Sequence, residues 1–104
     1  MHGMNIQFQW DAQKADRNAR KHRVTFVEAA TVLRDPLALI FNDKEHSEKE
    51  YREIIIGHSI RHRLLDVSFT ERGDVVRIIS ARKADREEHE DYKNAKRGGS
   101  ARSR

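Results

Sequence analysis

The sequence predicts one α+β domain in which helices pack on a small antiparallel β-sheet. Three observations predict this fold class. The chain has 104 residues, enough for one hydrophobic core and too few for two. Five short stretches read as strands, and the last three follow one another through short turns. Helix-capping residues mark three further segments, two before the second strand and one after the last.

Residues 6–10, "IQFQW", alternate apolar and polar side chains, which predicts a short half-buried strand. Asp11 then offers an N-cap for a helix spelled "AQKADRNARKH". Ala12, Ala15 and Ala19 recur at spacings of three and four in that helix. They form a thin apolar stripe, so the helix is expected to lie close to its support.

A second helix is predicted over "FVEAATVLR", because Thr25 and Glu28 have the spacing of a capping box. Pro36 ends it, since the residue before a proline is pushed out of helical angles. Residues 37–41 are predicted as a strand and residues 42–50 as a polar loop. The side chains expected to face inward from the second helix are Phe26, Ala29, Ala30 and Leu33.

Residues 51–57, 63–71 and 74–81 are predicted to form an antiparallel meander. In its middle strand the odd-numbered Leu65, Val67 and Phe69 share one face, and the even-numbered positions form a far more polar face. One face is therefore expected to pack on helices and the other to be partly open. Side chains of the third strand divide by simple alternation into one set with Arg77, Ile79 and Ala81 and another with Val76, Ile78 and Ser80.

Asp85 and Glu88 mark the cap of a last helix that runs to about Ala95. The domain is assigned to residues 4–95. Residues 96–104, rich in Gly, Ser and Arg, are predicted to form a disordered basic tail.

Composition restricts the function classes only mildly. Lys and Arg number 21 against 17 Asp and Glu, an excess that suits a polyanion partner and equally suits an ordinary solvated surface. Cysteine is absent, which excludes disulfides, a thiolate nucleophile and Cys-ligated zinc. With no apolar run of about 18 residues and no signal-peptide pattern, a soluble cytoplasmic protein is expected.

Few residues suggest metal or hydrolase chemistry. The chain has no Gly-rich phosphate loop, no HExxH motif and no G-x-S-x-G motif. His58 and His62 have a spacing that suits a metal on a helix, but they fall in a predicted turn, where surface histidines are the simpler interpretation. No metal or cofactor is expected.

The remaining set of cations and imidazoles, without an obvious nucleophile, suits RNA cleavage. RNA supplies its own nucleophile, the 2′-hydroxyl, so the protein must only orient the phosphodiester, move protons and stabilise negative charge. Each candidate also has a plain structural interpretation. Arg77 could pair with Glu53 or Asp66 on a neighbouring strand, and His22 could simply cap its helix.

Three stretches, in order from about Phe8 to Tyr92, carry a likeness to a known family. They are "FQWDAQKADRNARKHRVTFVEAATVLRDP", "DKEHSEKEYREIIIG" and "RLLDVSFTERGDVVRIISARKADREEHEDY". On these stretches the chain resembles the BrnT family of ribonuclease toxins. The chain departs from the family pattern at Arg23 and His62, where glycine is common, and at Asp66, where the family usually has an apolar residue. The last helix is also unusually acidic.

The resemblance implies a RelE-like fold and an endoribonuclease that stops translation and growth as the toxin of a type II toxin–antitoxin system. It further implies a BrnA-like antitoxin as partner, in a complex with two copies of each chain, and contact with operator DNA only through that antitoxin. No membrane partner is expected.

We therefore predict a metal-independent endoribonuclease with RNA as substrate. Its alternative is a non-catalytic module whose basic sheet binds nucleic acid or a partner chain. The residues assigned to the phosphate are Arg77, Arg82 and Arg63; those assigned to proton transfer are His46, His22 and Glu71; those assigned to the RNA backbone are Lys14, Lys21 and Lys83.

Overall fold

A computed structural model describes residues 5–43 and 51–96, which form three α-helices, one 3-10 helix and five strands. The elements follow the predicted order, with boundaries shifted by one to two residues at most ends. They are β1 (Gln7–Gln9), α1 (Ala12–His22), α2 (Phe26–Ala30), the 3-10 helix (Thr31–Arg34), β2 (Leu39–Asn42), β3 (Glu53–His58), β4 (Leu64–Arg72), β5 (Val75–Lys83) and α3 (Arg86–Lys96).

The five strands form one sheet in the order β1-β5-β4-β3-β2. Strands β2 to β5 are an antiparallel meander, which confirms the predicted fold class. The sheet is mixed and not purely antiparallel, because β1 pairs parallel to β5, with Phe8 opposite Val76. Two helices separate β1 from the meander in sequence, and a strand of three residues carries no local signal of its partner.

The main core lies between the two N-terminal helices and the first face of the sheet. Trp10 packs edge-on against Phe26, with ring centroids 6.0 Å apart. Leu65, Val67 and Phe69 point into this core, as their alternation predicted. The other buried members are Val24, Phe26, Ala29, Val32, Ile55, Val76, Ile78 and Ala81.

A β-bulge in β5 changes which of its side chains share a face. The register shifts between Ser68 and Phe69 of β4, which pair with Ser80 and Ile78 and leave Ile79 as the extra residue. Ala81 therefore lies in the core and Ser80 on the opposite face together with Arg77. The prediction that Arg77, Ile79 and Ala81 share one face was wrong, because simple alternation takes no account of a bulge.

The second face of the sheet is half covered. Over β3 and the start of β4, Tyr92 of α3 packs with Ile56 and Leu64. Toward β1, the same face carries Thr70 and Arg77, which are opposite each other in the register. Helix α3 thus shields one half of this face and leaves a polar half open.

The segment predicted as one helix after Thr25 changes pitch midway. Residues Phe26–Ala30 are α-helical and Thr31–Arg34 form a 3-10 helix, which turns Val32 fully into the core and leaves Leu33 half-buried. The inward set named from the sequence therefore omitted Val32. The backbone after this helix is fastened by Asp35, which accepts hydrogen bonds from the Leu37 N–H and the Tyr92 hydroxyl.

Within the described residues, no helix is long and apolar enough to cross a membrane. The domain limits 4–95 stay a prediction. Residues 97–104, most of the predicted tail, lie outside the described residues, and so do most of the predicted polar loop and His46.

Candidate functional site

The open half of the second sheet face contains two adjoining cavities. One encloses about 330 Å³ and the other about 340 Å³. Ser68 and Ser80, which are paired across β4 and β5, line the first cavity. The next pair on the same face, Thr70 and Arg77, lines the second, so the two cavities adjoin. We call the two together the sheet groove. The first is lined by His22, Asp43, Ile54, Asp66, Ser68, Ser80, Ala81 and Arg82, and the second by Gln9, Thr70, Arg72, Val75 and Arg77.

Arg77 supplies an available cation in this groove. Its side chain is exposed, and among residues 5–43 and 51–96 it makes neither a hydrogen bond nor an ion pair. The alternative interpretation from the sequence paired it with Glu53 or Asp66. Asp66 instead binds Arg82. Glu53 is opposite Phe69, on the first face of the sheet, which packs on the two N-terminal helices. Arg77 is therefore placed to meet an anion from solvent.

Arg82 also reaches the sheet groove, but carboxylates hold it. Its Nη2 donates to Asp66 Oδ2 at 3.0 Å, and its two terminal nitrogens donate to the Glu88 carboxylate at 2.9 Å each. Glu88 completes a capping box at the start of α3: its N–H donates to Asp85 Oδ1 at 2.8 Å and its Oε1 accepts from the Asp85 N–H at 2.9 Å. This cluster anchors the start of α3 to the sheet.

The two carboxyls around Arg82 have opposite pKa shifts. Burial, together with a hydrogen bond to Glu88 and its negative charge, raises the pKa of Asp66 to about 8. Burial opposes ionisation of Glu88 as well, but hydrogen bonds with Asp66, Arg82 and the Asp85 backbone lower its pKa to about 2. A proton shared between two carboxyls explains the split.

His22 lies where the sheet groove meets a second depression. This helix groove, about 310 Å³, lies between α1 and the bulged residue of β5. Its lining is basic and includes the predicted RNA-binding residues Lys14 and Lys21. The full lining is Lys14, Arg17, Asn18, Lys21, His22 and Ile79. His22 lines both depressions, so an extended ligand that ran from one into the other would pass this residue.

Asn18 fixes α1 in the position that brings His22 to the groove. Its amide nitrogen donates to the carbonyl oxygens of Ala81 at 2.8 Å and Val24 at 3.0 Å. Its oxygen accepts from the Ala81 N–H at 3.1 Å. Asn18 belongs to the first stretch quoted for the resemblance, and its side chain joins α1 to β5 and to the segment after α1.

Arg63 is not brought to the sheet groove. Its Nε donates to Glu28 Oε2 at 2.9 Å, a second bond joins its Nη2 to Glu28 Oε1, and Nη2 also donates to the Arg23 carbonyl at 3.0 Å. Ser59 adds a hydroxyl donor to the same carboxylate at 2.7 Å. These contacts lie against α2, on the other side of the sheet from Arg77.

Two further predicted residues also lie away from the groove. Glu71 pairs in register with Val76, on the first face of the sheet, which packs on α1 and α2. Arg77 lies on the second face. Lys83 is exposed at the end of β5, opposite Leu65. His46 lies outside the described residues. The sheet groove thus gathers Arg77, Arg82 and His22 from the predicted set, with Lys14 and Lys21 beside them.

The comparison with protein families decides the identity of the fold and its general activity. Residues 10–88 match the family described as "Ribonuclease toxin, BrnT, of type II toxin-antitoxin system". The chain belongs to this family. It is accordingly a ribonuclease toxin of a type II toxin–antitoxin system, and such a toxin has a cognate antitoxin.

Among solved structures, the chain is similar to the ribonuclease toxin BrnT of Brucella abortus, determined at 1.1 Å resolution. The TM-score is 0.60 at 24% identity, over 79% of this chain and 100% of that chain. This likeness supports the BrnT fold. No curated protein matches the chain.

Two departures from the BrnT pattern have a backbone explanation. Arg23 has φ 59° and His62 has φ 64°, and these are the positive-φ residues other than glycine in the described part of the chain. The resemblance implied glycine at both positions, and glycine adopts this left-handed region without steric penalty. Arg23 ends α1 with its N–H donating to the Ala19 carbonyl, and the His62 N–H donates to the Ser59 carbonyl.

The histidine pair that could have suggested a metal is used otherwise. His58 stacks edge-on against Tyr92, with centroids 4.9 Å apart, and His62 occupies the left-handed turn position. In residues 5–43 and 51–96 no group of three or more His, Asp or Glu side chains could hold a metal ion.

Sequence reasoning did not assign the serines and other neutral residues of the sheet groove to the site. The alternation of β4 placed Ser68 and Thr70 on the polar face, and this was the sequence signal that could have found them. Ser80 was assigned to the wrong face because of the bulge, and Gln9 reaches the groove only because β1 pairs parallel to β5. Arg17 could not be distinguished from the other cations of α1 by its position in the sequence.

Proposed function

We propose that this BrnT-family toxin cleaves RNA in the sheet groove without a metal ion, and that this cleavage inhibits translation and growth. The observation that carries the proposal is the position of Arg77. It is an exposed guanidinium beside a serine-lined cavity, and it makes no ion pair among the described residues. Its free N–H groups can bind the equatorial oxygens of a phosphate.

In the proposed reaction the 2′-hydroxyl of the RNA attacks the adjacent phosphorus. The protein contributes a base that accepts the hydroxyl proton, an acid that protonates the leaving 5′ oxygen, and a cation that stabilises negative charge. Arg77 stabilises the negative charge of the pentacoordinate phosphorus, which is greatest in the transition state. His22 is the proton-transfer group that the geometry favours, because it borders the same cavity as Ser68 and Ser80.

The helix groove supplies a path for the RNA backbone. Lys14, Arg17 and Lys21 line it, and it ends at His22. Cations along such a path release counterions when they bind phosphates, so binding weakens steeply with salt. Arg82, held by the carboxyl groups of Asp66 and Glu88, is part of the fixed wall of the groove and is not a free charge.

Other predicted residues take different places in this scheme. Arg63 is proposed to stabilise the fold through Glu28 and not to touch RNA. Glu71 is proposed to have no part in the proton step, because it lies on the opposite face of the sheet from Arg77. His46 remains a predicted proton-transfer group, and Lys83 a predicted RNA contact.

The decisive experiment combines chelation with substitution. The purified chain is incubated with single-stranded RNA in excess EDTA, and products are analysed for 2′,3′-cyclic phosphate ends. Arg77→Ala should lower kcat/KM about 100-fold or more, the usual effect of removing a transition-state charge donor. His22→Asn should lower it by about 10²- to 10⁴-fold.

The matched control is Lys93→Ala, which removes an exposed cation on α3 well beyond Arg82, the last residue in the chain that lines the sheet groove. It should leave cleavage unchanged, and all three variants should keep the wild-type melting temperature. Loss of cleavage on chelation would show that the metal-free mechanism is wrong. Full activity of Arg77→Ala would remove this guanidinium from the site.

The second candidate is a non-catalytic binding module. It is favoured by the ion pairs of Arg63 and Arg82, which leave Arg77 as the one predicted phosphate-binding arginine without a carboxylate partner among the described residues. Expression distinguishes the two: the nuclease slows bacterial growth unless the antitoxin is co-expressed, whereas a binding module leaves growth unchanged.

The partner and its assembly complete the proposal. We infer a BrnA-like antitoxin that forms a complex with two copies of each chain, and operator DNA contact only through that antitoxin. The site of action would be the cytoplasm, where the RNA substrate is.

A further inference from the structure

We propose that Asp66 carries a proton in the folded toxin at neutral pH and, in that form, is the positioning residue for Arg82 in the wall of the sheet groove. The proposal deepens the ribonuclease function proposed above and rests on it. It gives a role to a carboxyl at a position for which the resemblance implied an apolar residue.

The geometry places two carboxyls on one guanidinium. Asp66 and Glu88 are both buried, with 6% and 3% of their surface exposed, and both accept hydrogen bonds from Arg82. Arg82 Nη2 donates to Asp66 Oδ2 at 3.0 Å and to Glu88 Oε2 at 2.9 Å, so one nitrogen holds oxygens of both carboxyls. Two buried carboxylates on one guanidinium would leave one negative charge uncompensated, and this favours a proton on one of the pair.

The number of donors decides which carboxyl holds the proton. Glu88 accepts two N–H bonds from Arg82 and a third from the Asp85 backbone. Asp66 accepts one, from Arg82 Nη2. The group with more donors is the better carboxylate, so the proton resides on Asp66. The raised pKa of Asp66, about 8, and the lowered pKa of Glu88, about 2, agree with this assignment.

Other charged groups face the pair from the neighbouring elements. Asp85 lies in the connection between β5 and α3 and adds negative charge. His22 at the end of α1 and Asp43 after β2 line the same cavity. On β3 the residue opposite Asp66 is the apolar Ile56. Arg82 is thus the permanent cation among the described residues that line this cavity, and it balances one carboxylate only.

The protonation of Asp66 therefore sets the charge of the groove wall. With the proton present, Arg82 and Glu88 cancel and the wall is neutral toward a phosphate. Without it, the same three side chains carry one net negative charge within the cavity that the RNA backbone must enter. At a separation of roughly 7 Å, one unit charge changes phosphate affinity by about three- to tenfold.

The test measures RNA binding independently of cleavage. A fluorescent, fully 2′-O-methylated oligoribonucleotide lacks the nucleophile, and its dissociation constant is measured by anisotropy between pH 6 and 8.8. Wild-type affinity should fall about three- to tenfold between pH 7 and pH 8.8. Asp66→Asn keeps an acceptor for Arg82 and a donor for Glu88 but does not titrate, so its affinity should not fall over that interval.

The matched control is Glu90→Gln, which makes the same change at an exposed carboxyl on α3. It should reproduce the wild-type pH dependence. Parallel curves for wild type and Asp66→Asn would overturn the proposal. If Asp66→Asn does not fold, carbon-13 titration of the wild-type carboxyls decides: an Asp66 resonance titrating near its ordinary value of about 4 would also overturn it.

A parallel measurement of cleavage separates this proposal from the one on which it rests. Binding with the expected pH dependence but without cleavage of unmodified RNA would refute the nuclease alone. Cleavage with parallel binding curves would refute the role of Asp66 alone. Absence of RNA binding at every pH would refute both.

Discussion

The side-chain amide of Asn18 on α1 pairs with both backbone groups of Ala81 on β5. The two bonds, 2.8 and 3.1 Å, take the place of a neighbouring strand, because β1 covers β5 only from Val75 to Arg77. A third bond, to the Val24 carbonyl, secures the segment that follows α1. One buried side chain thus joins the helix, the sheet edge and the connection to α2.

Replacing Asn18 by Ala should therefore destabilise the protein by about 2–4 kcal/mol. The reason is that three buried or half-buried backbone groups would lose their partner, at about 1–3 kcal/mol for each that remains unsatisfied. Urea unfolding followed by circular dichroism measures the change. Asn94→Ala, an exposed position on α3, is the control and should change stability by less than about 0.5 kcal/mol.

Glycine at the two left-handed positions should stabilise the chain. Arg23→Gly and His62→Gly each relieve a positive φ that is unfavourable for a residue with a Cβ, and we expect a gain of about 0.5–1 kcal/mol apiece. Thermal unfolding of the single and double variants measures it. The reverse change, Gly73→Ala at φ 58°, should cost about 1 kcal/mol although nothing lies within 4 Å of the added carbon.

Glu28 should make stability fall in acid. Hydrogen bonds from Arg63 and Ser59 lower the pKa of Glu28 below its ordinary value of 4.5, against the effect of burial. Its contribution is therefore complete above about pH 4.5 and disappears as pH falls through the lower folded pKa. At pH 7, Glu28→Gln should lose about 2–4 kcal/mol, because Arg63 would be left without its carboxylate.

The difference in unfolding free energy between wild type and Glu28→Gln should be constant from pH 6 to 8 and shrink below about pH 4.5. Urea titrations at each pH measure it, with the exposed Glu90→Gln as control. A difference that stayed constant down to pH 2.5 would mean that Glu28 keeps an ordinary pKa.

Gly57 should tolerate no side chain. A Cβ there would lie 2.9 Å from Ala38 Cβ, 3.1 Å from Asp35 Oδ2 and 3.1 Å from Val32 Cγ1. Gly57→Ala should cost about 1–3 kcal/mol through overpacking. The double variant Gly57→Ala with Ala38→Gly removes the nearest obstacle and should recover part of the loss. No recovery in thermal unfolding would show that Asp35 or Val32 is the real obstacle.

Local patterns were sufficient for the meander and for the cores of the helices. Short turns force consecutive strands to be antiparallel neighbours, and caps such as Asp11 and Thr25 act within four residues of sequence. The alternation of Leu65, Val67 and Phe69 correctly separated the buried face from the polar one. These features depend on nearest neighbours in sequence, which is why they can be predicted.

The site could be predicted only in part, because its geometry depends on distant contacts. Arg63 binds a carboxylate 35 residues away and Arg82 one that is 16 residues away, so neither ion pair leaves a local pattern. The bulge at Ile79 reverses the faces on either side of it, and the sequence alone was equally consistent with both orientations of Arg77.

The Asn18 amide holds α1 against β5, and it thereby fixes the distance between His22 on one side of the sheet groove and Ser80 on its floor. If the proposed cleavage stops growth, a bacterium without the antitoxin can escape through this one residue. One codon change at position 18 would part the two sides of the sheet groove while every side chain that lines the sheet groove stays intact. Suppressor colonies from an unprotected expression plasmid should include such changes, at a buried residue that holds the groove together and not at one proposed to supply charge or protons.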